Sequence, residues 1–430
     1  MRILIISYHY PPAKAIGGAR VEGFARSLLD AGHDVRVVTA GPSEPSDERA
    51  TAIPPEKVFR AAHLRRSSRA QTVADDPGGN PSKRTSSAPF RKALKRWLYR
   101  LYQRAIAVPD TAVDWALSAR ALGRNITRNW KPDIILVSGP PFSAIAAAVS
   151  LKRLTRAALV VDYRDPWTLG AYYPFGAVRR TFDRQIELFL GAHFDAITTV
   201  SSPIAELLHD LHGLRASVIL NGYDEGADSF PRESEAQGPL SSARLNILYV
   251  GNALYAGRRD PSPLFLAARE LQLSPDDVRI HFLGTDSDTV LRFPGARDIE
   301  DLLVFHPPVS HQDSLAFQRR ADLLLLLLWN NPAERGVYSG KLFEYIGSGR
   351  PVLLIGYQRG VAAALVEQER FGFVTTDKDS VIRVLRRVLD GPQLHFPDST
   401  NERRKKYSRD KQNKALIQLV TSLHSNRHAQ

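Results

Sequence analysis

Two charged residues three positions apart, Lys341 and Glu344, have the types and spacing to bind a ligand. Residues three apart share one face of a helix, and a short helix is predicted here. It ends at Gly347 and Gly349, because Pro351 cannot continue it. A cation beside a carboxylate can hold a phosphate and a diol together. The same spacing also suits a surface ion pair, and the pattern alone leaves both interpretations open.

A second charged group, Asp162, Arg164 and Asp165, lies at the end of a predicted strand in the first half of the chain. Ligand sites of parallel sheets gather at the carboxyl ends of the strands. We therefore expect Arg164 and Asp165 to contact a ligand. The alternative is an Arg–Asp pair that only stabilises the end of the strand.

A pair of glycines, Gly17 and Gly18, precedes a helix that is predicted to start at Val21. Glycine lets the backbone approach a ligand, and a helix N-terminus favours anions. The full Gly-x-Gly-x-x-Gly pattern is missing, and no acidic residue ends the following strand. A dinucleotide site is therefore not expected.

The elements that must position these residues alternate between strand and helix, which predicts doubly wound parallel sheets. A chain of 430 residues exceeds one hydrophobic core, so two domains are expected. We assign residues 1–225 to the first domain, 226–243 to a linker and 244–408 to the second domain. The predicted strands are Arg2–Ser7, Val35–Thr39, Pro132–Ser138, Leu159–Trp167, Ala196–Ser201, Asn246–Val250, Arg279–Gly284, Leu303–His306, Leu323–Leu328, Val352–Ile355 and Gly372–Val374.

Composition excludes several kinds of site. The sequence has no cysteine, which rules out disulfides and thiolate metal ligands and fits a reducing cytosol. Its histidines are scattered singly, so no metal site is expected. The longest apolar run, Leu323–Trp329, has seven residues, far fewer than the ~20 that a membrane-spanning helix needs.

The net charge of +13 is unevenly distributed. Between Lys57 and Arg104, thirteen Lys and Arg stand against two Asp. We interpret about 42–106 as a mobile basic insertion in the first domain. A local basic block suggests an acidic partner surface.

Within that insertion, Phe90–Ile106 has apolar residues at helical spacing and basic residues on the other side. This composition suits a helix in an anionic membrane interface. The alternative is a helix that packs on its own domain with a solvated basic face. In the membrane interpretation the contacts are made by Arg91, Lys92, Lys95, Arg96 and Trp97.

Six short motifs stand in order along the chain. They are Tyr8-His-Tyr-Pro-Pro12 with Gly17-Gly18, Gly139-Pro-Pro141, Asp162-Tyr-Arg-Asp-Pro-Trp167, Asn221-Gly-Tyr-Asp224, Tyr249-Val-Gly251 and Gly340-Lys-Leu-Phe-Glu344. Together they resemble the GT-B glycosyltransferases, most closely family 4, whose members are retaining enzymes that use nucleotide sugars. The resemblance implies an α/β fold of two Rossmann-like domains facing a cleft, with the helix of residues 409–430 packing back on the first domain. Within the family, the chain looks closest to enzymes that build bacterial surface or lipid-linked glycans.

The resemblance also implies roles for individual residues. Glu344 would accept hydrogen bonds from the ribose hydroxyls, and Arg258 or Arg259 would hold the diphosphate. The resemblance requires no metal or other cofactor, because positive side chains can stabilise the leaving diphosphate. The donor-binding residues would be Gly17, Gly18, Arg258, Arg259, Gly340, Lys341, Leu342 and Glu344.

Two positions depart from the family pattern. The family often has an acidic residue eight positions before Glu344, where this chain has Gly336; Glu334 is the nearest substitute. The basic residue that often follows the first glycine of the second domain is Asn252 here. With Glu334 as the substitute, the expected catalytic residues are Glu334, Arg164 and Asp165.

We therefore expect a retaining glycosyltransferase that moves a sugar from a nucleoside-diphosphate sugar to a glycan or lipid-linked acceptor in cell-surface polysaccharide biosynthesis. It would be cytoplasmic and, in the membrane interpretation, peripheral on the inner face of the plasma membrane. No nucleic-acid partner is expected. Two other functions remain open: a nucleotide-sugar epimerase of the same fold, and a non-catalytic relative that binds glycans or membranes. Gly336 and Asn252 favour the non-catalytic relative.

Overall fold

The computed structural model describes residues 1–12, 16–41, 52–63, 108–224, 240–251, 254, 258–391 and 399–428. The chain forms two compact units. The first contains Met1–Leu220 together with Asn413–Gln430, and the second contains Asn221–Gln412. Among the described residues, no helix is long and apolar enough to cross a bilayer.

The first unit is built on a seven-stranded parallel sheet with the order β3-β2-β1-β4-β5-β6-β7. Its strands are β1 (Arg2–Ser7), β2 (Asp34–Ala40), β3 (Val58–Ala61), β4 (Ile134–Gly139), β5 (Ala158–Tyr163), β6 (Ala196–Thr199) and β7 (Ala216–Val218). Its helices are α1 (Ile16–Asp30), α2 (Val113–Asn129), α3 (Ser143–Thr155), α4 (Ala177–Gly191) and α5 (Ser202–His212).

Both faces of this sheet are covered. Along β1, Ile3 and Ile5 belong to one hydrophobic cluster, and Leu4 and Ile6 belong to another; all four are fully buried. A strand that is buried on both faces needs apolar residues at every position, which is why the sequence shows a continuous apolar run here.

The second unit has a six-stranded parallel sheet with the order β10-β9-β8-β11-β12-β13. Its strands are β8 (Leu245–Val250), β9 (Val278–Leu283), β10 (Leu303–His306), β11 (Leu323–Leu327), β12 (Val352–Ile355) and β13 (Gly372–Thr375). Its helices are α6 (Ser262–Glu270), α7 (Ser287–Val290), α8 (His311–Arg320), α9 (Gly340–Ser348), α10 (Val361–Gln368), α11 (Lys378–Asp390) and α12 (Ser399–Lys405).

The predicted class, two doubly wound parallel sheets, is confirmed. In each sheet the strand order reverses beside the first strand of the unit, between β1 and β4 and between β8 and β11. Ligands of such sheets bind at the carboxyl ends of the strands where the order reverses. These two positions are therefore where functional side chains are to be sought.

The last helix, α13 (Arg409–His428), begins in the second unit, and its residues from Asn413 onward belong to the first. Leu416 and Val420 are fully buried in the cluster that contains Phe24 of α1. The buried Asn413 Nδ2 donates to Ser27 Oγ over 2.9 Å. The helix thus completes one face of the first sheet.

Part of the predicted insertion is an ordinary strand. Val58–Ala61 pairs in parallel with β2 and forms an edge of the first sheet. Just before it, Pro55–Lys57 forms a 3-10 turn, and Lys57 Nζ donates to Asp34 Oδ1 over 2.7 Å. Assigning these residues to a mobile insertion was wrong. The predicted helix at Phe90–Ile106 lies outside the described residues.

A buried ion pair ties α1 to the centre of the first sheet. Arg20, which is 2% exposed, donates through Nε and Nη2 to the Asp162 carboxylate over 3.1 and 2.8 Å. Ser138 Oγ and Thr198 Oγ1 also donate to this carboxylate, each over 2.8 Å. Arg20 Nη1 donates to Ile219 O over 2.8 Å. Burial alone would raise the pKa of Asp162, but Arg20 and the hydrogen bonds outweigh it and lower the pKa.

Replacing Asp162 by Asn should lower the free energy of unfolding of the first unit by about 3–5 kcal/mol, because Arg20 becomes a buried charge without its partner. Urea denaturation measures this change. The control is Asp298→Asn, which removes a half-exposed pair with Arg269 and should change stability by no more than about 1 kcal/mol. A loss for Asp162→Asn that is no larger than the loss for the control would contradict the prediction.

Candidate functional site

The helix that carries Lys341 and Glu344 is fixed beside the carboxyl end of β8. The hydroxyl of Tyr345, which is fully buried, accepts from Val250 N over 3.2 Å and donates to Leu325 O over 3.4 Å. The first contact joins α9 to the last residue of β8, and the second joins it to β11. The helix therefore stands where the strand order of the second sheet reverses.

Lys341 is held in a confined, positively charged place. Its Nζ lies 4.9 Å from the centre of the Tyr249 ring, a cation–π distance. Gly251 has a φ of +155°, which favours glycine, and a side chain there would also meet the Lys341 Nζ and the Tyr249 ring. Burial, followed by the nearby charge of Arg259, lowers the pKa of Lys341 to about 8, although Glu344 opposes this. A bound anion would favour the charged form of Lys341 and so oppose both effects.

Glu344 lies one helical turn from Lys341 and is half-buried. Within the described part of the chain, its carboxylate accepts no hydrogen bond. It lines a small cavity together with Tyr223 and with His311 and Arg319 of α8. An ionised carboxylate without donors can accept from two neighbouring hydroxyls, as the predicted ribose contact requires.

The two predicted arginines lie in the same region of the second unit. The Arg258 guanidinium carbon is 5.1 Å from the ring centre of Trp329, which follows β11. Arg259 is the next residue, and its charge is one of the causes that lower the pKa of Lys341. The structure thus brings Lys341, Glu344 and Arg259 together and places Arg258 at the end of a neighbouring strand.

Three other residues of the second unit were predicted to bind the donor or to act in catalysis, and the structure places each of them differently. Gly340 begins α9 and is half-buried. Leu342 is fully buried, so its side chain packs inside the unit, and assigning it to ligand contact was wrong. Glu334 ends the 3-10 turn Pro332–Glu334 and is 9% exposed. Whether Glu334 replaces the acidic residue missing at Gly336 stays a prediction, and Asn252 lies outside the described residues.

In the first unit, Arg164 is anchored where the sheet order reverses. Its Nε donates to Gly139 O over 3.3 Å, and its Nη2 donates to Pro140 O. A side chain at Gly17 would overlap this guanidinium, so Gly17 and Arg164 fit together. Gly17 and Gly18 form the first turn of α1, which begins at Ile16; placing them ahead of the helix was wrong.

The three charged residues at the end of β5, Asp162, Arg164 and Asp165, have separate roles. Asp162 is the buried partner of Arg20, and Arg164 bonds backbone carbonyls. The Asp165 side chain is exposed, and within the described ranges it accepts no hydrogen bond. The Asp165 carboxylate is therefore the one in this group that is accessible to a ligand.

A further set of hydrogen-bonded side chains at this edge was missed in the sequence. Tyr8 Oη lies 3.0 Å from His63 Nε2, and His63 Nδ1 lies 3.2 Å from Asp114 Oδ1. An imidazole that a carboxylate orients toward a hydroxyl can accept a proton from that hydroxyl. The residues come from the segment after β1, the segment after β3 and the first turn of α2. Their sequence separation gives no signal that they meet.

The residues assigned to a membrane, Arg91, Lys92, Lys95, Arg96 and Trp97, lie outside the described ranges. Their role stays a prediction.

The chain is similar to one known family over part of its sequence and to several solved structures in its fold. Residues 17–222 match the family model described as a glycosyl transferase 4-like domain. No curated protein sequence matches the chain significantly. The solved structures named below are 13–16% identical to this chain, so they show the fold alone.

Sucrose-phosphate synthase from Thermosynechococcus elongatus is 16% identical over 99% of this chain and 100% of that chain, with a TM-score of 0.65. HepE from Anabaena in complex with UDP is 15% identical over 98% and 100%, with a TM-score of 0.60. The lipopolysaccharide outer core galactosyltransferase WaaB is 14% identical over 98% and 99%, with a TM-score of 0.58. A putative UDP-N-acetylglucosamine 2-epimerase from Listeria monocytogenes shares the fold at 13% identity over 100% and 97%, with a TM-score of 0.53.

Proposed function

We propose that this chain, which has the GT-B glycosyltransferase fold with a glycosyl transferase 4-like domain at residues 17–222, transfers a sugar from a nucleoside-diphosphate sugar to an acceptor hydroxyl. The observation that carries the proposal is the group formed by Lys341, Arg259 and Glu344 at the carboxyl end of β8. It combines clustered positive charge with a carboxylate that can accept hydroxyl hydrogen bonds, as a nucleoside diphosphate requires.

Lys341, Arg258 and Arg259 would hold the diphosphate and stabilise the negative charge that develops on it as the sugar leaves. This placement requires no metal ion. Glu344 would fix the ribose, so that the diphosphate lies over the N-terminal turn of α9, where backbone N–H groups favour anions. The HepE structures hold UDP and UDP-glucose, which supports a nucleotide sugar as the donor here.

The first unit would bind the acceptor. Asp165 would accept a hydrogen bond from its hydroxyl, and the Tyr8–His63–Asp114 chain could take the proton that the hydroxyl loses. We further propose that transfer retains the configuration of the sugar, as the likeness to family 4 implies, and proceeds without a protein nucleophile. The acceptor would be a glycan or a lipid-linked sugar in the synthesis of a cell-surface polysaccharide.

The second candidate function is nucleotide-sugar epimerisation, favoured by the 2-epimerases that share the fold. The two activities can be distinguished by their products. A transferase releases the nucleoside diphosphate and needs an acceptor, whereas an epimerase converts the nucleotide sugar without one. The third candidate, a relative that has lost the reaction, would bind glycans or membranes and give neither product.

Glu344→Gln should abolish nucleotide binding in a thermal-shift screen of nucleoside diphosphates and their sugars. A ligand at about 100 times its dissociation constant adds about 2.7 kcal/mol to the stability of the folded protein. The shift should appear with one base and persist in EDTA. The control is Glu367→Gln, which changes an exposed glutamate of α10 and should keep the full shift. A shift that survives Glu344→Gln, or no shift with any nucleotide, would falsify the donor site.

Affinity for the nucleoside diphosphate should fall as the pH rises through about 8, because the free protein then loses the charge on Lys341. Titration calorimetry between pH 6.5 and 9.5 would follow this change, which should approach a tenfold loss per pH unit above the pKa. In Lys341→Arg the affinity should not change with pH over this range, since arginine stays charged. A wild-type profile as flat as that of Lys341→Arg would show that Lys341 does not contact the diphosphate.

A further inference from the structure

The aromatic ring of Tyr249 supports the ammonium group of Lys341. Tyr249 is the last but one residue of β8, is 2% exposed and belongs to the hydrophobic core of the second unit. Its ring centre lies 5.8 Å from that of Phe282 on the neighbouring strand β9 and 4.9 Å from Lys341 Nζ. The core of the unit therefore fixes the ring, and the ammonium group of Lys341 lies over its face.

Lys341 Nζ has few partners for a lysine that is largely removed from water. Among the residues that the structure describes, no atom accepts a hydrogen bond from this nitrogen. The charged groups that face it are Arg259, which repels the ammonium group, and Glu344, which attracts it. The hydroxyl of Tyr345, one turn further along α9, is neutral and already bonded to backbone groups. In this part of the chain, the short-range contact that stabilises the charge is therefore the face of the Tyr249 ring.

An aromatic ring has an advantage over a carboxylate in this place. The negative face of the ring attracts a cation without accepting its N–H groups in conventional hydrogen bonds. A carboxylate would neutralise the lysine and occupy those groups. A side chain at Gly251 would meet both Nζ and the Tyr249 hydroxyl, so the glycine keeps the space beside Nζ open. The three N–H donors of the ammonium group thus stay available to an anion.

We propose that Tyr249 is a positioning residue of the donor site. Its ring holds the ammonium group of Lys341 at the carboxyl end of β8 and stabilises the positive charge, so that the N–H donors meet the diphosphate of the nucleotide sugar. Tyr249 acts through Lys341 rather than on the reacting atoms. This role rests on the proposed function, because the diphosphate is the anion that Lys341 is proposed to bind there.

The test is the pKa of Lys341 in the full chain, measured by NMR of protein with isotope-labelled lysine side chains. The Lys341 signal is assigned by its loss in Lys341→Arg. The wild-type pKa should be about 8. Tyr249→Leu should lower it by about one pH unit, because a partly desolvated lysine loses its cation–π contact. Tyr249→Phe should keep the wild-type pKa, since the ring remains.

Two variants separate the effect of the ring face from the loss of packing. Phe282→Leu also removes a buried ring from this core, next to Tyr249, and should leave the pKa of Lys341 unchanged. Replacing Tyr249 by pentafluorophenylalanine keeps a ring of similar size but reverses the charge of its face. The pKa of Lys341 should then fall by a similar amount, and this variant replaces Tyr249→Leu where the cavity left by leucine prevents folding.

Inorganic pyrophosphate tests the link to the donor. Its binding should raise the pKa of Lys341, because a bound anion favours the charged form. At about pH 8, Tyr249→Leu should bind pyrophosphate roughly fivefold more weakly than the wild type, since about a tenth rather than about half of Lys341 is charged before binding.

A pKa of Lys341 that is the same in the wild type and in Tyr249→Leu, or that falls equally in Tyr249→Phe or Phe282→Leu, would overturn the role of the ring. A pKa that responds to the ring but not to pyrophosphate would instead contradict the diphosphate contact in the proposed function, and with it the role of Tyr249 in that site. The two failures are therefore distinguishable.

Discussion

The carboxylate of Asp162 is the contact on which the first unit depends. Its two oxygens accept four hydrogen bonds, from Arg20, Ser138 and Thr198, so three adjacent strands and α1 meet at one buried charge. Removing a charge from water is costly unless its partners are complete, and here they are. Arg20 fixes the first turns of α1, and this places Gly17 against the guanidinium of Arg164, which lies two residues after Asp162. The buried Arg20–Asp162 pair thus positions the side chains at the carboxyl end of the first sheet.

The second unit achieves the same placement without an ion pair. The hydroxyl of Tyr345 joins α9 to β8 and β11, and a neutral group leaves the charge of the site unbalanced. Burial first, and then the charge of Arg259, lowers the pKa of Lys341, and Glu344 opposes this only in part. A bound anion would favour the charged form of Lys341. The same arrangement would therefore favour binding of the diphosphate in the proposed function.

The sequence predicted the features that are encoded locally. β1 and β11 are buried on both faces and appear as continuous apolar runs, and Lys341 and Glu344 share a helix face by spacing alone. β3 was missed because it has four residues, includes Arg60 and is held as an edge strand through its pairing with β2. Leu342 was assigned to the ligand because it stands between motif residues, yet it points away from them into the core. Tyr8, His63 and Asp114 come together only because distant segments of the chain pack against each other, and their spacing in the sequence does not predict this contact.

Exposure and partners, rather than residue type, decide which group of the first unit can act on an acceptor. Asp162 has no capacity left for a ligand, because its oxygens are already occupied. Burial raises the pKa of the Asp165 carboxyl, and the charge of Arg164 offsets this only in part, so Asp165 is a stronger base than an ordinary aspartate. His63 is oriented by Asp114 toward the hydroxyl of Tyr8. In the proposed function, Asp165 and His63 are therefore both candidates for taking the proton of the acceptor, and Asp165 is the candidate for positioning it.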